Sequence, residues 1–262
     1  MEIMQITENI HRVELPYKDI FTTVYIVKTD KGVLLFDAAS FDSDLEQYIQ
    51  PALDALNITE QDLKYIFISH NHVDHMGCLG PIMQRYPNAV ILSRSLKLAE
   101  KYADYHVERL EDGDTVLDVL QIVTIPGHSS DSAGILDKRT NTLLSGDSLQ
   151  LYGILGSEDW GSTVVFPAQY LEAISKLRTM NIDSIYTAHD YYPYGFAYQG
   201  KEMVAKALIA CEEPMTLLRT LIANNPELDD EQIRLKYNAT GNIPTLRVRV
   251  VYRMREMLAE GK

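Results

Sequence analysis

Three histidines and one aspartate fall within six consecutive residues, His70-Asn71-His72-Val73-Asp74-His75, and this motif constrains the chain more than any other feature. The apolar run 65–69 before it is typical of a buried strand, and residues 76–83 after it indicate the beginning of a helix. The motif is therefore predicted on a strand-to-helix loop, whose start a rigid strand fixes. Imidazole nitrogens with a carboxylate suit zinc, iron or a similar ion. With this spacing, His70 and His72 can serve one metal while Asp74 and His75 face a second.

Three further ligand-type residues are predicted just past the ends of strands. His128 follows the apolar run 119–125, Asp147 follows 142–145, and His189 follows 185–187. A single histidine at a strand end is more often structural than a ligand, so each is a weak signal alone. Together with the motif they supply five histidines and two aspartates, which is enough for a two-metal site.

A strand hairpin is predicted at residues 22–27 and 33–36, joined by a turn through Asp30-Lys31-Gly32. Asp37 ends the second of these strands. A carboxylate at this position can support a metal-binding loop from behind. On sequence alone, a turn or cap aspartate is an equally good interpretation.

The charge balance excludes several classes of partner. The chain has 24 basic and 37 acidic residues, a formal net charge of −13, so no basic surface is expected for nucleic acid or anionic membranes. Cys78 and Cys211 are far apart, which favours burial over a disulfide. The N-terminus shows no signal-peptide pattern and no apolar stretch approaches the about 20 residues of a membrane span. A cytoplasmic protein acting on a small molecule is expected.

Strands and helices alternate over the first 200 residues, which favours a layered α/β sandwich over one parallel sheet. The predicted helices here cover residues 42–57, 81–86, 95–105 and 168–180. From about Gly200 only helices are predicted, the last opened by Pro244. An apolar stripe on that helix packs on the main domain or, alternatively, forms a homodimer surface.

With these residues in place, the pattern resembles the metallo-β-lactamase superfamily, the binuclear αββα-sandwich hydrolases. The motif His70-x-His72-x-Asp74-His75, then His128, Asp147 and His189, matches the ligand positions of that family in order, over roughly residues 1–195. The resemblance implies an α/β fold, a four-layer αββα sandwich, and the catalytic domain is predicted at residues 1–199. Residues 200–262, which the resemblance does not cover, are predicted to form a C-terminal helical extension.

The resemblance also implies roles for these residues. His70, His72 and His128 would hold one metal, Asp74, His75 and His189 a second, and Asp147 would bridge them. Two Zn²⁺ ions are expected, with iron or manganese as alternatives. Asp147 stands where some secreted lactamases have cysteine, which counts against antibiotic hydrolysis. The di-iron flavoprotein branch has glutamate where this chain has His72, which favours a zinc hydrolase.

The expected chemistry is attack of a metal-activated hydroxide on a small ester, thioester or lactone, with Asp74 orienting the nucleophile or taking its proton. Aromatic segments at 149–153, Trp160 and 190–198 are predicted to line an apolar pocket, or else to pack on the C-terminal helices. A mononuclear iron, oxygen-dependent sulfur oxidoreductase resembling persulfide dioxygenases is the alternative enzyme. A non-enzymatic binding protein is the third hypothesis.

Overall fold

The computed structural model describes residues 2–157, 160–241 and 245–261, and contacts divide the chain into two compact units, residues 1–123 and 124–262. Pro244, where the last helix was predicted to open, lies outside the described residues. The predicted division into a catalytic domain, residues 1–199, and an extension, residues 200–262, is a functional one and stays a prediction. Among the described residues, no helix combines the length and apolarity needed to cross a bilayer.

The first unit is built on one mixed sheet with the strand order β1-β2-β3-β4-β5-β6-β7. The strands are β1 (Ile3–Gln5), β2 (Ile10–Tyr17), β3 (Ile20–Thr29), β4 (Gly32–Phe36), β5 (Leu63–Ile68), β6 (Val90–Ser93) and β7 (Val107–Arg109). Neighbours from β1 to β4 are antiparallel, and those from β4 to β7 are parallel. The predicted hairpin is confirmed as β3 and β4.

Short helices accompany this sheet. They are α1 (Gln50–Ala55), which continues a π-helical turn at Leu45–Ile49, α2 (Val73–Met76), α3 (Leu79–Arg85) and α4 (Leu96–Lys101). A hairpin of β8 (Thr115–Val116) and β9 (Leu120–Thr124) follows. The predicted helix 95–105 was too long, because Tyr102 already leaves helical geometry.

The register of β4 and β5 determines where the first ligand residues lie. Phe36 pairs with Phe67 in parallel, so the carboxyl ends of both strands meet at one edge of the sheet. Asp37 leaves β4 there with a φ of 65°, a left-handed conformation that aspartate tolerates better than most residues. Ser69 and His70 leave β5 beside it. Asp74 and His75, predicted on a loop, instead lie on the helical turn α2.

The second unit contains the strands β10 (Ala133–Asp137), β11 (Thr142–Gly146), β12 (Ser184–Tyr191) and β13 (Gly195–Gln199). They lie in the order β13-β12-β11-β10, and β11 and β12 are parallel. The predicted hairpin of residues 134–136 and 142–145 is confirmed as β10 and β11. The prediction that a strand ends at residue 187 was wrong, because β12 continues to Tyr191, which pairs with Gly195 across a hairpin. His189 therefore lies inside a strand.

Four helices of the second unit lie in its described residues: α5 (Pro167–Thr179), α6 (Lys201–Asn224), α7 (Asp230–Asn238) and α8 (Val248–Ala259). Asp229 caps α7 in a reciprocal capping box with Gln232. The long helix α6 packs on α5 and on the strands β12 and β13. The buried side of α8 carries Val250, Val251, Met254 and Met257. A homodimer through these helices stays a prediction.

The Gly77→Ala substitution should destabilise the first unit by about 1–3 kcal/mol, the usual cost of overpacking. Gly77 follows α2, and a Cβ atom there would overlap the backbone carbonyls of Ser40 and Val73. Backbone cannot move aside as a flexible side chain can. Urea denaturation of both proteins measures the change in the free energy of unfolding.

Gly80→Ala is the matched control for this experiment. Gly80 lies in α3, where a Cβ atom meets nothing nearer than the Tyr102 hydroxyl at 4.0 Å. Alanine should stabilise that helix by up to about 1 kcal/mol. Equal stability changes for the two variants would contradict the close backbone packing at Gly77.

Candidate metal centre

His70 and His72 bring two ring nitrogens together on the loop after β5. His70 Nε2 lies 2.9 Å from His72 Nδ1, and the rings meet edge to face. Two ligands bound to zinc at 2.0–2.1 Å in tetrahedral geometry stand about 3.3 Å apart. The separation of the two nitrogens is close to that value. The pair therefore fits a shared metal ion.

The Ser69 hydroxyl determines which nitrogen of His70 carries the proton. Ser69 Oγ donates to Asp37 Oδ2 at 2.9 Å, so its proton is directed at the carboxylate. His70 Nδ1 lies 3.1 Å from the same Ser69 Oγ and acts as the donor in this contact. The lone pair of a neutral His70 is then on Nε2, the atom that faces His72.

Asp37 is completely buried and also fixes His75. Its carboxylate accepts hydrogen bonds from Ser69 N at 2.7 Å and from His75 Nδ1 at 2.8 Å. Complete burial raises the pKa of Asp37, while the neighbouring His75 imidazole and the Ser69 donors oppose this rise. Because His75 donates from Nδ1, its Nε2 carries the lone pair. The structure thus places Asp37 behind the metal loop.

Asp74 and His75 supply the second pair of potential ligand atoms in the first unit. His75 Nε2 lies 3.5 Å from Asp74 Oδ2, again near the separation of two zinc ligands. The Thr22 hydroxyl on β3 donates to the Asp74 carbonyl at 2.9 Å and anchors the turn. All four motif residues therefore present a ligand atom within 4 Å of another one.

In the second unit, Asp147 stands between two histidines. Its Oδ1 lies 3.2 Å from His189 Nε2, and its Oδ2 lies 3.6 Å from His128 Nε2. The parallel pairing of β11 and β12 brings Asp147 beside His189, since Gly146 is opposite Thr187. Each carboxylate oxygen faces a different imidazole. A carboxylate placed in this way can bridge two metal ions.

A backbone carbonyl orients His128. His128 Nδ1 lies 2.9 Å from the Thr163 carbonyl oxygen, which can only accept, so Nδ1 carries the proton and Nε2 the lone pair. The preceding Gly127 has a φ of 146°, and a Cβ atom there would overlap Tyr170. Glycine at this position lets the chain pass α5 and aim His128 at Asp147.

All seven ligand-type residues were predicted from the sequence, and within each unit the structure brings that unit's own set together. No role was predicted for Ser69 or Thr163. Ser69 adjoins the motif, and its side-chain chemistry is a signal that could have been used. Thr163 acts through its main-chain carbonyl, a group that every residue has, so its sequence carries no such signal.

The aromatic segments that were predicted to line an apolar pocket are unequally exposed. Tyr191 and Tyr198 are completely buried in the second unit, whereas Tyr192 and Tyr194 are 37% and 39% exposed. Tyr152 stacks edge to face with Tyr192 and donates to Glu213 of α6 at 2.6 Å. Two rings thus belong to the core, and one contacts a C-terminal helix, as the alternative interpretation expected.

Comparison with known proteins identifies the family and the fold. The family model described as the metallo-beta-lactamase superfamily matches residues 17–189. A hydroxyacylglutathione hydrolase of Bartonella quintana is 31% identical over 64% of this chain and 66% of its own length. An atrochrysone carboxyl ACP thioesterase of Claviceps purpurea is 26% identical over 62% of this chain and 52% of its own length. The chain thus spans between half and two thirds of these two relatives.

Among solved structures, a metallo-beta-lactamase family protein of Thermus thermophilus aligns with a TM-score of 0.70 and 18% identity. The alignment covers 98% of this chain and 95% of the other. The predicted fold class is confirmed by this match and by the mixed sheets and C-terminal helices. The similarity in fold extends well past residue 189, where the family model ends.

Ser69→Ala should weaken Zn²⁺ binding by about 10–100-fold, the usual effect of losing a group that orients a ligand. The substitution removes a hydrogen bond to Asp37 and the acceptor for His70 Nδ1. The affinity is measured by competition with a chromophoric chelator. Ser95→Ala is the control, because Ser95 caps α4 and its loss should cost about 1 kcal/mol of stability without changing Zn²⁺ affinity. Unchanged affinity in folded Ser69→Ala would refute the orienting role of Ser69.

Proposed function

Since the chain belongs to the metallo-beta-lactamase superfamily, we propose that it is a dinuclear zinc-dependent hydrolase of a small ester, thioester or lactone. The observation that carries the proposal is the position of Asp147, with one oxygen facing His128 and the other facing His189. A carboxylate with both oxygens directed at imidazoles matches the bridging ligand of a two-metal site. The orientation of three histidines through Nδ1 supports the same conclusion.

In this proposal the ligands are divided between two metal ions as the family pattern implies. One zinc would be held by His70, His72 and His128, and the second by Asp74, His75 and His189. Asp147 would bridge them. The donor set is rich in imidazole and contains carboxylates but no thiolate, which suits zinc and leaves iron and manganese as alternatives.

Two zinc ions supply, when bound, a hydroxide nucleophile at neutral pH, because they lower the pKa of a bound water to about 7. The Asp74 carboxylate would orient the attacking water or take its proton. Asp37 and Ser69 keep the lone pairs of His70 and His75 on the nitrogens that bind. No serine or cysteine nucleophile is needed.

The substrate class rests on chemistry and on the names of relatives. A hydroxyacylglutathione hydrolase and a carrier-protein thioesterase are both acyl hydrolases by name, which supports an acyl substrate here. The net charge of −13 weighs against a polyanionic substrate such as nucleic acid. No observation favours the oxygen-dependent iron alternative. We also propose a cytoplasmic location.

Asp147→Ala should lower the metal content from about two zinc ions per chain and reduce hydrolysis of p-nitrophenyl acetate by about 1,000-fold, because the bridging charge is lost. Metal content is measured by mass spectrometry on protein purified without added metal. Asp118→Ala is the control, since the Asp118 side chain is 75% exposed. Two zinc ions and the parent rate in Asp147→Ala would refute the bridging role. About one iron per chain in the parent would refute the zinc hydrolase.

Tyr194→Ala should raise the KM for an apolar ester with little effect on kcat, because Tyr194 is 39% exposed and belongs to the segment 190–198 that is predicted to line an apolar substrate pocket. Tyr252→Ala is the control, because Tyr252 is also exposed but lies on α8. Steady-state kinetics with a short-chain and a long-chain p-nitrophenyl ester measures the effect. Equal KM values for parent and variant on both esters would assign Tyr194 to the surface alone.

A further inference from the structure

Gln150 is a buried polar residue of the second unit that is not one of the predicted ligands. Its side chain is 3% exposed and uses both ends of its amide. Nε2 donates to the Asp147 carbonyl at 2.7 Å and to the Tyr191 hydroxyl at 3.1 Å. Oε1 accepts from Thr163 N at 2.9 Å. One amide therefore joins three separate segments of the chain.

The chemistry of these partners fixes the orientation of the amide. Thr163 N can only donate, so it must face the amide oxygen, and the Asp147 carbonyl can only accept, so it must face the amide nitrogen. A carboxylate of the same shape would set an oxygen against the Asp147 carbonyl oxygen. An apolar side chain would leave buried groups of all three segments without this partner. Glutamine is therefore specifically suited to this position.

Each segment that Gln150 joins carries or orients one ligand of the second unit. The Asp147 carbonyl belongs to the bridging aspartate itself. Thr163, whose N–H binds Gln150, uses its carbonyl to orient His128 at 2.9 Å. Tyr191 lies two residues beyond His189 on the same strand, β12. One side chain is thus hydrogen-bonded to Asp147, to the residue that orients His128 and to the strand that carries His189.

We infer that Gln150 is a positioning residue that holds Asp147, His128 and His189 in the geometry required for metal binding. It reaches a ligand's main chain, the residue that orients a second ligand, and the strand of the third. Gln150 does not touch the reacting atoms. The inference rests on the metal site of the proposed function and is independent of the reaction catalysed there.

The test is Zn²⁺ binding to the metal-free full chain by isothermal titration calorimetry, for Gln150→Glu and Gln150→Leu. Both should bind Zn²⁺ about 10–100-fold more weakly in at least one site, as expected when an orienting group is lost. Co²⁺ is a second probe, because its visible absorption reports coordination geometry, and the spectra of both variants should differ from that of the parent. A role in stability alone would lower the free energy of unfolding and leave the spectrum unchanged.

Gln199→Glu is the matched control. Gln199 also donates its amide to a tyrosine hydroxyl, that of Tyr186 at 2.7 Å. It pairs with Ser184, at the opposite end of β12 from His189. The same chemical change in the same sheet should leave Zn²⁺ affinity and the Co²⁺ spectrum as in the parent.

Parent-like affinity and spectrum in folded Gln150→Glu and Gln150→Leu would overturn the inference. If Gln150→Leu does not fold, the isosteric Gln150→Glu decides. If neither folds, Tyr191→Phe decides, because it removes only the hydroxyl that Nε2 reaches, and an unchanged Co²⁺ spectrum then refutes positioning through that contact. A parent that binds Zn²⁺ but hydrolyses no ester would refute the proposed function and leave this inference standing.

Discussion

The buried carboxylate of Asp37 is the interaction on which the metal loop of the first unit depends. A charge removed from water is stable only when hydrogen bonds replace its hydration. Asp37 obtains them from the Ser69 amide, the Ser69 hydroxyl and the His75 imidazole. Two of these bonds, from the Ser69 hydroxyl and from the His75 imidazole, also fix the proton positions of His70 and His75. The hydrogen bonds that stabilise the buried charge therefore also leave the metal-facing nitrogens of His70 and His75 unprotonated.

In the second unit, neutral groups fix the position of the histidine proton. The main-chain carbonyl of Thr163, in place of a carboxylate, accepts the hydrogen bond from His128. The Gln150 amide in turn links Thr163 to Asp147 by hydrogen bonds. Neutral acceptors avoid placing a second buried negative charge beside Asp147, where two carboxylates would repel each other. Both solutions place the histidine proton on Nδ1.

Sequence patterns predicted the elements best where side-chain periodicity and burial agree. The hairpins β3–β4 and β10–β11 were found because apolar runs flank polar turns. The extent of β12 was not found, since His189 and Asp190 interrupt its apolar pattern. That strand continues because its backbone pairs with β13, and hydropathy carries no information on this pairing.

The sequence by itself determined the ligand types, their order and the fold family, because metal chemistry demands particular side chains at particular spacings. Asp37 could be suspected from its place at a strand end. Only the tertiary structure decided that Asp37 contacts His75 and is more than a turn or cap aspartate. It also decided that each oxygen of Asp147 faces a different histidine, that the Thr163 carbonyl contacts His128, and that the Gln150 amide contacts the Asp147 carbonyl. These contacts join residues distant in the chain, often through main-chain atoms common to every residue, so only the folded backbone specifies them.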